Sequence, residues 1–272
     1  MSNFEKSFRL IITIFASSLL YACDSKLEPP AETPLETAND SAKSVTIYRD
    51  DWGVPHIYAT HEANGFYGLG YAQAEDQLSK LLGAVYWATG RHAELEGEAM
   101  LPMDIEQRRW RHAQEGREGY ARLDPQVKAN YQAFVAGVKR YMSDFPDKVP
   151  AWALPLEAAD LLIISRALFW VGYAGVLGPA ECQDPDLALY SSIQEAAVMT
   201  LRGASNGWVV APAKTVNGAT ILAADPHVEM QSAAYYEYRM EAGKLKSAGF
   251  SLGPLLWQAH NRDVCWAMTT GN

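Results

Sequence analysis

The sequence predicts an α+β fold, with a helical front part and a strand-rich back part that meet near Gly203. Two observations carry this reading. Apolar residues recur at helical spacing through much of residues 61–201, whereas short alternating apolar stretches broken by turn signals follow from Trp208 onward. With 49% hydrophobic and 11% aromatic residues in a chain of 272, there is enough apolar surface for a sizeable core.

The N-terminus reads as an export signal. Lys6 and Arg9 precede the apolar run from Leu10 to Ala22, which has the length of a signal-peptide core and is short for a membrane span. Leu20-Tyr21-Ala22-Cys23 is similar to a bacterial lipobox, in which the cysteine becomes lipidated and tethers the protein to a membrane. The alternative is an ordinary signal peptide cut near Ala22, and the bulk of Tyr21 keeps it open. Residues 1–23 are thus expected to direct export, to a periplasmic or membrane-anchored location. Residues 24–44, rich in Pro, Glu, Ser, Thr and Ala, lack the apolar side chains to pack and read as a flexible linker.

Order is expected from Val45. The β-branched run Val45-Thr46-Ile47-Tyr48, the turn Asp50 to Pro55 and the run His56 to Ala59 predict a hairpin. From His61 to about Leu82, Phe66, Leu69, Ala72 and Ala74 recur near a 3.6-residue period, and helix continues to Leu95 with Gly90 as an interruption. Asp124-Pro125 supplies an N-cap and a first-turn proline, after which Val127, Tyr131, Phe134, Val138 and Tyr141 share a face. That helix is expected to end before Pro146. Another runs from near Asp160 to about Val171, and Leu187–Leu201 is a further helical stretch. Then come strands at Trp208–Ala211 and Ile221–Ala224 around an Asn217-Gly218 turn, at Ala234–Met240, at Lys246–Phe250 and at Val264–Trp266.

The net charge of −9, with no long basic run, argues against nucleic-acid binding. The three cysteines make no disulfide framework; Cys182 and Cys265 are read as partly buried thiols rather than a pair. No ligand spacing for zinc occurs. His56 reads as structural, and His61, His92 and His112 as surface or packing residues.

Ser205 sits on the boundary between the two halves, in Gly203-Ala204-Ser205-Asn206-Gly207-Trp208. Gly203-x-Ser205-x-Gly207 matches the nucleophile elbow of serine hydrolases, but that motif needs a strand before the serine and a helix after it. A second chemistry is self-cleavage. The serine hydroxyl attacks the carbonyl of Ala204, the amide becomes an ester, and water releases Ser205 as a new N-terminus. Its α-amine, with a pKa of about 7.7–8, can then take the proton from its own hydroxyl. Gly203 and Ala204 are small enough for the required turn. The plain alternative is a surface turn between a helix and a strand.

Several separated segments resemble the penicillin acylase family of N-terminal nucleophile hydrolases. Tyr48-Arg49-Asp50-Asp51-Trp52-Gly53-Val54-Pro55-His56-Ile57 is similar to its opening strand, Gly68 to Leu78 to the next helix, and Thr89-Gly90-Arg91 to the following turn. Ser205 to Pro212 resembles the start of its β subunit, and Ala224-Asp225-Pro226-His227 the segment beyond. The resemblance implies a four-layer αββα fold and cleavage of a precursor into α and β subunits, with 45–204 as the α-subunit region and 205–272 as the start of β. It implies hydrolysis of a small acylated amide: a β-lactam side chain, an acyl-homoserine lactone or a lipopeptide. It makes Ser205 the nucleophile and base, and His227 an orienting residue and oxyanion backbone donor, as in the cephalosporin- and homoserine-lactone-acylase branches. Otherwise His227 is a satisfied histidine at a strand end. By the same resemblance Thr270 supplies a second oxyanion N–H, and Val228 falls where long-chain acylases carry an aromatic in the acyl pocket. Glu181, in an acidic stretch to Asp186, falls where some relatives draw a structural calcium ligand, with a solvated loop as the alternative. No cofactor is needed for the chemistry.

The family's β subunit runs several hundred residues further than Asn272 and brings an asparagine oxyanion donor, its orienting arginine and most of the acyl pocket. The chain is therefore expected to be the front part of the fold, to need that remainder as its α/β partner, and to be inactive alone. A non-catalytic exported lipoprotein scaffold is the rival reading.

Overall fold

The computed structural model describes residues 45–174, 205–227 and 235–269. Strands β1 (Val45–Arg49) and β2 (Pro55–Ala59) form the expected antiparallel hairpin. Its turn is held by Asp50, whose Oδ1 accepts from the backbone N–H groups of Trp52 and Val54, both at 3.0 Å. Gly53 takes a positive φ of 82° there, a conformation open to glycine at little cost. His56, read as structural, is 3.2 Å from Asp50 through Nε2, across the same turn.

Helix α1 (Glu62–Ala88) follows, with a kink at Gln77, and runs on past Leu82 to just before the expected interruption at Gly90. It stops at Thr89, and Gly90 then turns the chain with φ 69°. A short helix, α2 (Ala93–Glu96), leads to α3 (Leu101–Arg109) and α4 (His112–Ala121). These last two had no apolar period to announce them. Their buried residues are Asp104, Gln107, His112 and Gly116, which are polar or small.

Helix α5 (Pro125–Asp144) begins as the cap residues require, with the Asp124 carboxylate accepting from Gln126 N–H at 2.8 Å. Tyr131, Phe134, Val138 and Tyr141 are buried as expected, but Val127 is 39% exposed because the first turn projects beyond the core. Helices α1 and α5 cross at backbone contact. A Cβ on Gly70 would lie 2.0 Å from the Phe134 carbonyl oxygen, and one on Gly137 would lie 2.0 Å from that of Tyr67. Helix α6 (Ala158–Ala174) is the last helix of this part among the described residues. The predicted helix Leu187–Leu201 lies outside the described residues.

Strands β3 (Ser205–Val210) and β4 (Ile221–Pro226) pair antiparallel as a two-stranded sheet. Strands β5 (Tyr236–Ala242), β6 (Leu245–Leu252), β7 (Leu255–His260) and β8 (Cys265–Trp266) form a meander that joins the front hairpin. The resulting six-stranded sheet has the order β1-β2-β5-β6-β7-β8. All its pairs are antiparallel except β2 with β5, which run parallel. Strand β7 was not foreseen.

Burial alternates along β5: Tyr236, Tyr238, Met240 and Ala242 are buried, and Glu237, Arg239 and Glu241 exposed. That is the pattern of a sheet with one face on the core. Ile57, Met240 and Ala242 share a core cluster with Phe66, Leu69 and Phe134, so the helices cover that face. Helices on one face of a largely antiparallel sheet make the predicted α+β class.

Candidate active site

Ser205 is the first residue of β3 and is partly buried. Its register partner is Pro226, the last residue of β4. The hydroxyl of Thr269 donates to the Ser205 carbonyl oxygen at 2.7 Å. Thr269 lies just beyond β8, in the segment that follows Trp266. The same segment runs past β3 at Gly207, where a Cβ would come within 3.4 Å of the Ala267 methyl.

Two further bonds fix that segment. The Gln258 amide on β7 donates through Nε2 to the Met268 carbonyl at 2.9 Å, and the Trp266 indole N–H donates to the Leu256 carbonyl at 3.1 Å. Gln258 is only 3% exposed, and its Oε1 has no hydrogen-bond partner among the described residues.

Strand alternation places Asn206 and its cross-strand partner Asp225 on the face opposite the Ser205 side chain. His227 joins them. Its Nε2 lies 2.8 Å from Asp225 Oδ2 and 3.1 Å from Asn206 Nδ2. A single ring nitrogen cannot donate to the carboxylate and accept from the amide at once, so the two contacts belong to different tautomers. The Asp225 carboxyl is held below its usual range, first by the hydrogen bond from His227. All three side chains are exposed.

The structure therefore brings Ser205 together with the segment in which an oxyanion donor was expected, and puts His227 two residues from Asp225 on the hairpin's other face. Of the remaining predicted residues, Cys23, Glu181, Gly203, Ala204, Val228 and Thr270 lie outside the described residues. Sequence reasoning missed Asn206, Asp225, Gln258 and Thr269 as site residues. Thr269 had a signal, standing next to Thr270 in a segment already singled out; Gln258 had none, since only the β7–β8 packing brings it there.

A nucleophile elbow is not built here, because a strand rather than a helix follows Ser205. Among the described residues there is no group of three or more His, Cys, Asp or Glu side chains that could hold a metal ion. A groove of about 410 Å³ lies on the helix-free face of the large sheet, lined among others by His56, Tyr58, Arg239 and His260. None of the predicted site residues lines it.

Comparison with known proteins places these features. The chain is 24% identical to the acyl-homoserine lactone acylase QuiP of Pseudomonas fluorescens, over 89% of this chain and 36% of that protein. It is 29% identical to the acyl-homoserine lactone acylase PvdQ of Pseudomonas savastanoi pv. phaseolicola, over 88% of this chain and 35% of that one. It is 26% identical to the penicillin acylase 2 proenzyme of a Pseudomonas species, over 89% and 38%. The chain thus spans little more than a third of the length of these relatives. Among solved structures, a thermostable penicillin G acylase from Alcaligenes faecalis aligns with a TM-score of 0.45 and 21% identity, over 56% of this chain and 84% of that one. The match to the penicillin amidase family itself extends over residues 44–272, from the first strand through Ser205 and Thr269, and the chain belongs to that family.

Proposed function

We propose that this chain carries the nucleophile of an amide hydrolase that matures by cutting itself between Ala204 and Ser205. The observation that carries the reading is the position of Ser205: the opening residue of β3, with its carbonyl anchored by Thr269, in a member of the penicillin amidase family. A residue at the start of a strand can become a chain terminus without unravelling the strand, and the Thr269 hydroxyl holds its carbonyl in place.

In maturation, the Ser205 hydroxyl adds to the Ala204 carbonyl carbon. The C–N bond breaks, the nitrogen takes the hydroxyl proton, and an ester joins Ala204 to the serine oxygen. Water hydrolyses that ester, leaving a carboxylate on Ala204 and a free amine on Ser205. In turnover, the amine accepts the proton of its own hydroxyl while the oxygen attacks the substrate amide carbon. The proton passes to the departing amine, and water then splits the acyl-serine ester to a carboxylic acid. Backbone N–H groups beside the developing oxyanion, for which the 266–270 segment is the candidate, would each contribute about 3 kcal/mol.

The substrate class follows the relatives, which are named for acyl-homoserine lactones and for penicillin: an acyl group in amide linkage to a small amine. One relative bears the name proenzyme, in keeping with a precursor that is cut. With the cut before Ser205, residues 45–204 form the α part and residues from 205 onward begin the β part of a four-layer αββα fold. Residues 1–23 serve as an export leader, either cut near Ala22 or lipidated at Cys23, and residues 24–44 as a flexible linker.

The test is a denaturing gel with N-terminal sequencing of the product of the complete gene. Two fragments, one beginning Ser205-Asn206-Gly207, are expected, and a single band for Ser205→Ala. An active wild-type preparation with the Ala204–Ser205 bond intact overturns the mechanism.

A further inference from the structure

Building on the reading of Ser205 as the nucleophile, we propose that Gln258 is a positioning residue for it, acting through the backbone of Met268 and the hydroxyl of Thr269. The connection is continuous. Gln258 Nε2 donates to the Met268 carbonyl at 2.9 Å, and the next residue, Thr269, donates from its hydroxyl to the Ser205 carbonyl at 2.7 Å. Strand β7 is thereby linked to the first residue of β3 by two hydrogen bonds and one peptide unit.

The chemistry of Gln258 is hard to explain as packing. It stands on β7 with 3% exposure, and one end of its amide has no partner among the described residues. A buried amide oxygen left unpaired is destabilising. A methionine or leucine would fill the same space without that cost. What an apolar side chain cannot do is hold the Met268 carbonyl, and with it the placement of Thr269. Thr269 in turn ties down the carbonyl of Ser205, the first residue of β3. Without the Thr269 hydroxyl the described residues give the Ser205 carbonyl no side-chain partner, and the terminal residue of the strand can rotate. A nucleophile displaced by about 1 Å loses on the order of a hundredfold in rate.

The proposal separates stability from rate. In the product of the complete gene, Gln258→Met is expected to melt at or above the wild-type temperature while both self-cleavage and kcat fall about tenfold or more, with KM near wild type. Thr269→Val is expected to show the same loss, and Thr269→Ser, which keeps the hydroxyl, to recover most of it. Wild-type cleavage and kcat in both Gln258→Met and Thr269→Val overturn the proposal. So does a rate loss in Gln258→Met matched by a large fall in melting temperature, with Thr269→Val unaffected. A Ser205→Ala protein that is still cut and active overturns the nucleophile assignment itself, and the proposal with it. Cleavage abolished by Ser205→Ala, with wild-type rates in the other two variants, removes only the role of Gln258.

Discussion

The carboxylate of Asp225 and the imidazole of His227 meet at 2.8 Å on the exposed face of the β3–β4 hairpin, two residues apart in sequence. The contact lowers the affinity of Asp225 for a proton, because its charged form accepts the hydrogen bond. In His227→Ala the Asp225 carboxyl is expected to titrate higher, toward the ordinary value of about 3.9. Carboxyl carbon chemical shifts followed through a pH series measure this. The sign for stability follows: a carboxyl held low in the folded state favours folding above its unfolded pKa, and the benefit fades as pH falls through the folded value. An unchanged Asp225 titration in the variant shows that the pair does not form in solution.

His112 acts on stability in the same direction, at higher pH and from a different cause. It is 1% exposed, and burial, helped by the nearby charge of Arg166, lowers its pKa from 6.5 to about 4. The Arg166 guanidinium donates to Nδ1, which fixes the neutral ring. Between these pH values the unfolded chain binds a proton that the folded chain does not, so stability falls as pH drops from about 6.5 to about 4. The loss is on the order of 2–3 kcal/mol across that window. Urea unfolding at pH 7 and pH 5 is expected to show it, and His112→Leu to flatten the slope.

The α1–α5 crossing leaves no room for a methyl group. Gly70→Ala sets a Cβ 2.0 Å from the Phe134 carbonyl oxygen, and Gly137→Ala does the same to Tyr67. Both contacts are with backbone, which cannot swing aside. Each substitution is expected to cost about 3 kcal/mol, despite the gain in helix propensity. Thermal melts of the two variants check this, with Gly83→Ala as control, since a Cβ there meets nothing within 4 Å.

Tyr236 opens β5 and donates its phenol proton to Asp76 on α1 at 2.5 Å. Arg49 of β1 closes the group, bonding Asp76 at 2.8 Å and Glu75 at 2.6 Å. Three elements distant in sequence are joined there. Tyr236→Phe is expected to cost about 2 kcal/mol, the range for a buried donor to a charged acceptor. Arg49→Met is expected to cost a similar amount, leaving two carboxylates side by side. A double variant no worse than either single one marks the three groups as one unit.

What could be read from the sequence follows from which forces are local. The Asp124 cap, the Phe134-Val138-Tyr141 face and the Asp50–Gly53 turn rest on neighbours within a few residues, and each stands where the pattern put it. Helices α3 and α4 escaped because they bury Asp104, Gln107 and His112 rather than an apolar stripe. Strand β7 escaped because a register shift between Phe250 and Ser251 breaks the alternation against its partner. At the site, Ser205 stood out as the boundary between two kinds of pattern. The Thr269–Ser205 and Gln258–Met268 bonds join residues brought together by tertiary packing, which leaves no periodic trace.

The parallel pairing of β2 with β5 sets Ile57 beside Met240 in the interior of the large sheet. One strand precedes Ser205 in the chain and the other follows it, so severing the polypeptide before Ser205 leaves an intact seam of main-chain hydrogen bonds. The two pieces would migrate together in a native separation and part only in denaturant. Each fragment made separately would carry half of a junction that it cannot close alone.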